Sequence, residues 1–467
     1  MTRFPAEWEP HERTVMCWPA RTELWRDEFA AAERAHAEVA NVIAGYEPVT
    51  MLATPRLSER AASMCGPGVE VVELAIDDSW FRDSGPIYVI DDASERVATD
   101  WAFNAWGEKF APYDADARAA SAFAERSGHP VRSIGMVFEG GSITGDGDGT
   151  LVTTTQCLMH PNRNPTMTQT AIETVLRDEL GAERTLWLPH GLALDDDTDG
   201  HVDNIAAFAA PGHLVLQGCD DPDEDDWLRL DVDHRVARGA LDARGRALEV
   251  TVVPVLPFAE VAGERVVVPY LNYYVGNGFV VVPTCGHAAD SDMVALIGER
   301  YPGRDAIALE VGATLAYGGC GIHCITQQVP APLPETCWIW PAPRADPNKF
   351  RVRWRVGLAG GGDRVGACGS VVVVGAAHQD AQRRGGCLPG RAREGQRQDG
   401  QAGDAAKGRR PRGGPSPRPG TDLRGDRTRR QAGRCADRRD LLRRSQSAAS
   451  RTLRLPTAVR ARARPYG

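Results

Sequence analysis

Cys324 stands in GGCGIHCITQQ (318–328), after a Gly-rich apolar run and beside His323, a setting that can expose a thiolate at the floor of a pocket. Upstream, DTDGHVDN (197–204) places His201 and Asp203 two residues apart, and WFRDSGP (80–86) and FEGGSI (138–143) each put one carboxylate, Asp83 and Glu139, beside a turn. One thiol, one imidazole and several carboxylates are the groups needed to attack the carbon of a guanidinium. That cation is planar and resonance-stabilised, so carboxylates must fix it by paired in-plane hydrogen bonds while a thiolate approaches its face. An acid must then deliver a proton to departing ammonia, and a base must activate water to free the carbon from sulfur. A single histidine can do both in turn.

Each residue also has a plainer reading. Asp83 can cap its Ser-Gly-Pro turn or pair with Arg82; as a clamp it would grip two guanidinium nitrogens, with Trp80 as a wall or cation–π face. Glu139 precedes two glycines that permit close backbone approach to a ligand, or it is a surface turn residue. His201 and Asp203 alternate in HVDN and would share one side of a strand. The acidic DDDTDG (195–200) suits a cationic substrate or is a solvated loop, and DDPDEDD (220–226) reads as a solvated loop. Metal binding by His201, Asp203, His323 and Cys324 is the other chemistry on offer, but no HExxH, CxxC or facial-triad spacing supports it. No GxGxxG or P-loop pattern supports nucleotide binding.

The elements that must position these groups interleave, so the class is α/β. Helical periodicity runs through 22–44, a second helix starts at Thr166 with a capping box to Gln169 and stops at Gly181, and a third fits 290–300. Short strands are expected at 69–76, 150–154, 213–217, 248–255, 279–283 and 313–317. Asp83 to Glu139 is 56 residues, Glu139 to His201 is 62 and His201 to Cys324 is 123, near twice 61. A quasi-period near 60 suggests structural repeats, each lending a loop to one centre, with the repeat near YLNYYVGNG (270–278) carrying no required catalytic residue.

Composition divides the chain. Residues 1–340 hold 24 basic and 53 acidic side chains and 341–467 hold 30 and 10, so the net charge of −9 hides −29 followed by +20. The first part opens without an apolar leader and has no run of 18 apolar residues, which reads as a soluble cytoplasmic protein with no membrane partner. Segment 335–467 is rich in Arg, Gly and Pro, with almost no apolar periodicity after SVVVVGAA (370–377), and is expected to be disordered. It has the character of a GC-rich reading frame not selected to fold; salt-sensitive nucleic-acid binding through it is the alternative from another class. The eleven scattered cysteines form no paired framework and read mostly as reduced thiols.

Taken together, PAEWEPHE (5–12), WFRDSGP, FNAWGEKF (103–110), FEGGSI, NRNP (162–165), DTDGHVDN, GCDDPDEDDW (218–227), NYYVGNGFVVVP (272–283) and GGCGIHCITQQ resemble the agmatine deiminases, within the larger family of bacterial-type peptidylarginine deiminases. The resemblance covers 1–332 and implies a pentein fold: a five-bladed α/β propeller of ββαβ repeats, a catalytic domain over 1–334, and a segment 335–467 without counterpart. It implies deimination of agmatine to N-carbamoylputrescine without metal or cofactor, with arginine or peptidylarginine as the nearest rival substrates, and it admits a homodimer. Carried over, Cys324 matches the nucleophile, His201 the general acid/base, Asp83 and Asp203 the guanidinium carboxylates, Glu139 a carboxylate near the histidine, and Trp80 a pocket wall. Asp197 matches an acidic position facing the substrate's distal amine, where relatives commonly carry Glu. Relatives usually have Gly where this chain has Cys320.

Overall fold

The computed structural model describes residues 2–332 and the strand Val352–Arg355; the remainder of the segment expected to be disordered lies outside the described residues. One topological unit recurs through it. Two antiparallel strands are followed by a helix and a third strand that lies parallel to the second. It appears at Ile87–Ile90, Arg96–Ala102 and Val131–Val137 around helix Ala119–Arg126. It returns at Ile143–Gly145, Thr150–Thr154 and Arg184–Leu188 around Gln169–Leu180, and at Ala206–Ala210, His213–Gln217 and Glu249–Val253 around Asp225–Arg238. A fourth copy is Tyr274–Gly276, Phe279–Pro283 and Asp305–Leu309 around Asp290–Gly298.

The fifth copy is discontinuous. Its first strand, Thr326–Pro330, pairs antiparallel with His11–Cys17, which lies parallel to Val49–Ala53 across helix Phe29–Ile43; Val69–Glu73 extends that sheet. A separate hairpin, Phe258–Val261 with Glu264–Val267, completes the sheets.

Burial explains the strand sequences. Val49–Ala53, Thr150–Thr154, Phe279–Pro283 and Thr326–Pro330 are buried at every position. The first three read as short apolar or Thr-rich runs without alternation, while TQQVP hydrogen-bonds its buried Gln327 and Gln328 side chains to Pro86 O and Arg82. The helices bury one stripe each; in Phe29–Ile43 it runs through Ala32, Val39, Val42 and Ile43.

Several expectations need correction. The helix expected over 22–44 is broken: Thr22–Trp25 and Phe29–Ile43 are separated by a 3-10 turn at Arg26–Glu28, where Arg26 has φ 48°. The second helix is capped two residues later than expected, by Thr168 Oγ1 accepting from Ala171 N at 3.2 Å, while Gly181 ends it in the left-handed region at φ 72°. ATLAY, expected as a strand, lies in helix Gly312–Gly318, which packs on Phe29–Ile43 and the hairpin. A run this short fits either period, and its tertiary setting decides. Strand Val352–Arg355, parallel to Asp305–Leu309, falls inside the stretch expected to be disordered; its RVRWRV sequence alternates with period two. No helix of the described residues is long and apolar enough to cross a membrane.

Candidate active site

The five units share one more feature: each places a site residue just before its first strand. Asp83 lies in the one-turn helix Phe81–Ser84 ahead of Ile87, and Glu139 precedes the 3-10 turn Gly140–Ser142 ahead of Ile143. His201 and Asp203 flank and enter the 3-10 turn Val202–Asn204 ahead of Ala206. Asn272 comes ahead of Tyr274, and Cys324 ahead of Thr326. This is the structural source of the spacing near 60. It also shows that HVDN is a turn, not a strand, with His201 and Asp203 converging through its curvature.

Gly141 marks where these groups meet. A Cβ built there would lie 2.6 Å from His201 Nδ1 and 2.9 Å from both Asp203 Oδ2 and Asp83 Oδ1. Only a residue without a side chain leaves that space open. Gly141 N also donates to Asp83 Oδ1 at 2.9 Å, and Trp106 Nε1 donates to Asp83 Oδ2 at 2.9 Å. Arg82 does not pair with Asp83; it turns away, donating to Gln328 Oε1 at 2.8 Å, with Glu7 3.6 Å distant.

Asp83 therefore has hydrogen-bond donors but no cation. Burial, followed by the neighbouring Asp203 and Glu139 carboxylates, pushes it up to about 8. His201 is fully buried, its two ring nitrogens lack hydrogen-bond partners, and Asp83 Oδ2 and Glu139 Oε2 stand 3.8 and 3.9 Å from them. Burial, then the Arg163 charge, holds its imidazole well below the ordinary range and favours the neutral ring. Asp195 fixes the loop leading to it, accepting from Thr198 Oγ1 at 2.5 Å, His201 N at 3.1 Å and Asn204 Nδ2 at 3.1 Å.

Cys324 Sγ lies 3.1 Å from Asp203 Oδ2 and is joined to Cys320 in a disulfide. Asp203 Oδ2 is also 2.8 Å from His323 Nδ1, and His323 Nε2 is 2.8 Å from Glu7 Oε1. Burial opposes a charge on His323, as does Arg82, but the two flanking carboxylates prevail and its value is raised. Glu7 falls to about 2: burial resists ionisation, but His323 and Arg82 more than offset it. Glu7, His323 and Asp203 thus form a buried hydrogen-bonded chain ending at the sulfur.

In front of these groups opens a cleft of about 290 Å³, lined by Trp80, Trp106 and Phe110 as walls and by Asp83, Asp197 and Cys320 among its polar groups. Trp80 is braced by stacking on Trp25, ring centres 6.0 Å apart. Cys324, His201, Asp203 and Glu139 do not line the cleft; Asp83 connects the two groups, since it lines the cleft and approaches His201.

Four site residues carried no role in the sequence analysis, though each lies in a stretch quoted there. Arg163 of NRNP donates from Nε to Glu139 Oε1 at 2.6 Å and from Nη1 to Asp199 Oδ2 at 2.6 Å. Trp106 of FNAWGEKF and Glu7 of PAEWEPHE act as described above. Asn272 of NYYVGNG comes from the repeat expected to carry no required catalytic residue, yet its Nδ2 lies 3.3 Å from Cys324 Sγ and its Oδ1 accepts from His323 N at 2.9 Å. Among the described residues, two sets bring possible ligand atoms together, Glu139 with Cys157 and His201, and Asp203 with Cys320 and Cys324. In the first, Glu139 is already bound by Arg163 and burial raises the Cys157 thiol far above its usual range; in the second, the sulfurs are bonded to each other.

A cleft bounded by aromatic walls and paired carboxylates, backed by cysteine and histidine, belongs to a class of sites built for planar cations. The Porphyromonas-type peptidyl-arginine deiminase family model matches residues 3–330, and the chain belongs to that family. An agmatine deiminase from Stutzerimonas stutzeri (strain A1501) is 41% identical over 355 residues, covering 71% of this chain and 96% of its own. One from Pseudomonas aeruginosa (strain LESB58) is 39% identical over 354 residues, with the same coverages of 71% and 96%. The solved agmatine deiminase of Enterococcus faecalis superposes with a TM-score of 0.69 at 30% identity, covering 71% of this chain and 96% of that one.

Proposed function

We propose that this protein hydrolyses agmatine to N-carbamoylputrescine and ammonia through a covalent amidino-cysteine intermediate. The observation that carries the reading is the convergence of His201, Asp83 and Asp203 on the space above Gly141, with Cys324 Sγ against Asp203. Agmatine deiminases about 40% identical across nearly their whole length support the substrate.

In the reduced enzyme, Asp83 and Asp203 would hold the guanidinium edge-on while the Cys324 thiolate adds to its carbon. His201 then protonates the departing nitrogen, and the C–N bond breaks to release ammonia. It next takes a proton from water, whose oxygen adds to the same carbon as the C–S bond breaks. Carboxylates 3.8 and 3.9 Å from the two ring nitrogens favour its protonated state once they are ionised. Trp80 would cover the guanidinium face, and Asp197 would meet the distal amine, which agmatine has and which arginine flanks with a carboxylate. No step in this scheme calls for a metal or cofactor.

The same reading places the five recurring sheets around a common centre as a pentein propeller, with residues 1–334 as the catalytic unit. It makes the enzyme a cytoplasmic supplier of a putrescine precursor, active on a small cation and compatible with a homodimer.

The test is product mass and ammonia release under reducing conditions, with agmatine, free arginine and a blocked arginine peptide offered in parallel. Turnover of agmatine alone is expected, and Cys324→Ala should abolish it because the sulfur placed against Asp203 is removed. Activity on arginine or the peptide instead would move the substrate. Retained turnover in Cys324→Ala would overturn the mechanism.

A further inference from the structure

We propose that Cys320 and Cys324 form a reversible peroxide-sensitive dithiol site, in which Cys320 captures the oxidised nucleophile as a disulfide and switches the enzyme off. The inference rests on the assignment of Cys324 as nucleophile. The two residues are bonded across four positions of chain, with Cα atoms 6.2 Å apart, inside the span that disulfides accept. Cys320 lines the substrate cleft, whereas Cys324 is buried behind it, so the second sulfur stands between the cleft and the first.

The local chain is shaped for this approach. Cys320 follows the end of helix Gly312–Gly318, where Gly319 has φ 128° and a Cβ would meet Asp197 Oδ2 at 2.9 Å. Asn272 Nδ2 reaches both sulfurs, at 3.4 Å to Cys320 and 3.3 Å to Cys324, and its hydrogens favour a thiolate at either. The other cysteines of the described residues, Cys17, Cys65, Cys157, Cys219 and Cys285, are free thiols. Burial raises each of them above the usual thiol range.

The step balances with a hydroperoxide as oxidant. The Cys324 thiolate attacks a peroxide oxygen, the O–O bond breaks, and a sulfenic acid forms as hydroxide leaves. The Cys320 thiol then attacks that sulfur; the S–O bond breaks, the S–S bond forms, and the oxygen leaves as water carrying the proton the thiol gives up. Two thiols are oxidised by two electrons in total and one peroxide is reduced. A dithiol reverses the change by thiol–disulfide exchange, returning two electrons and two protons. Because the disulfide forms before a second peroxide can react, Cys324 is spared irreversible oxidation to the sulfinic acid.

The full chain is first reduced with dithiothreitol and freed of it, then treated with hydrogen peroxide and again with dithiothreitol, reading activity and mass on the same samples. The wild type should lose two hydrogens, located by fragmentation to 320–324, lose turnover in proportion to that fraction, and regain it with dithiothreitol. Cys320→Ser, compared with its own untreated activity, should gain two oxygens on Cys324 under excess peroxide, as the sulfinic acid that dithiothreitol does not reduce, and fail to recover. Oxygen adducts in the wild type without the two-hydrogen loss, or full recovery of Cys320→Ser, would overturn the switch. A disulfide with unchanged turnover would instead overturn the nucleophile assignment. The wild-type mass readout stands on its own if Cys320→Ser does not fold.

Discussion

Arg163 and Glu139 form an ion pair with no exposed side-chain surface on either partner, Nε to Oε1 at 2.6 Å. Burial still holds the Glu139 carboxyl above its ordinary range against the pull of Arg163. Arg163→Met removes the cation and strands a buried carboxylate, which should cost about 3–5 kcal/mol in urea unfolding. Arg163→Met with Glu139→Gln should recover part of the loss. A single variant as stable as the wild type would show that the pair does not hold this part of the core.

Gly141 tests the convergence of the site. Gly141→Ala adds one methyl that must displace His201, Asp203 or Asp83, while its backbone needs no left-handed conformation. Displacements of this kind cost about 100-fold in kcat/KM. The melting temperature should change little by comparison, and normal activity in a folded Gly141→Ala protein would refute the proposed arrangement.

Asp83 sets a pH signature. With its carboxyl near 8, it holds a proton at pH 7, whereas a bound guanidinium requires the anion. Ligand binding to Cys324→Ala protein that also carries His201→Gln, so that the imidazole cannot take up the proton, should therefore release protons at pH 7, and affinity should rise as pH climbs through about 8. Calorimetry in buffers of different ionisation enthalpy reads the release directly; no release would contradict the clamp. The stability effect runs the other way. The folded state binds this proton and the unfolded chain does not between the ordinary aspartate value and about 8, so Asp83 makes folding less favourable as pH rises across that window.

Glu7 and His323 give stability with two limits. The raised value of His323 means its contribution is complete below its ordinary value and is lost as pH rises through the folded one. Glu7, lowered to about 2, contributes above its ordinary value of 4.5 and loses that contribution as pH falls toward 2. His323→Gln should flatten the alkaline decline in unfolding free energy. By freeing the Asp203 carboxylate to rotate, it should also lower kcat/KM by about tenfold, or 1.4 kcal/mol. An unchanged alkaline limb would remove His323 from this role.

The groups proposed for covalent chemistry could be singled out in the sequence because cysteine, histidine and clustered acids have few other uses in Gly-rich turns, and the structure gathers them around Gly141 and Asp203. Their supporting residues were not. Arg163, Trp106, Glu7 and Asn272 act through partners that are 24, 23, 316 and 52 positions away, and local pattern says nothing about such distances. The spacing near 60 was visible because each unit repeats the same placement before its first strand. HVDN and ATLAY were misread for one reason: four or five residues do not sample enough of a period to separate strand from turn or helix. Cys320 was noted as a departure from relatives, but its bond to Cys324 emerges only when the turn between them is folded.

Pairing of Thr326–Pro330 with His11–Cys17 has a consequence for synthesis on the ribosome. The strand at the start of the fold must wait for a partner more than 300 residues later, and Ala331 N closes the seam on Pro10 O at 2.8 Å. Cys324 sits two residues ahead of that late strand. The nascent chain can therefore assemble its middle sheets in order, but Cys324, the proposed nucleophile, arrives with the closing strand. Catalytic competence would come at the last step, so a chain stalled before residue 330 would be inert, with the edge of its first sheet uncovered.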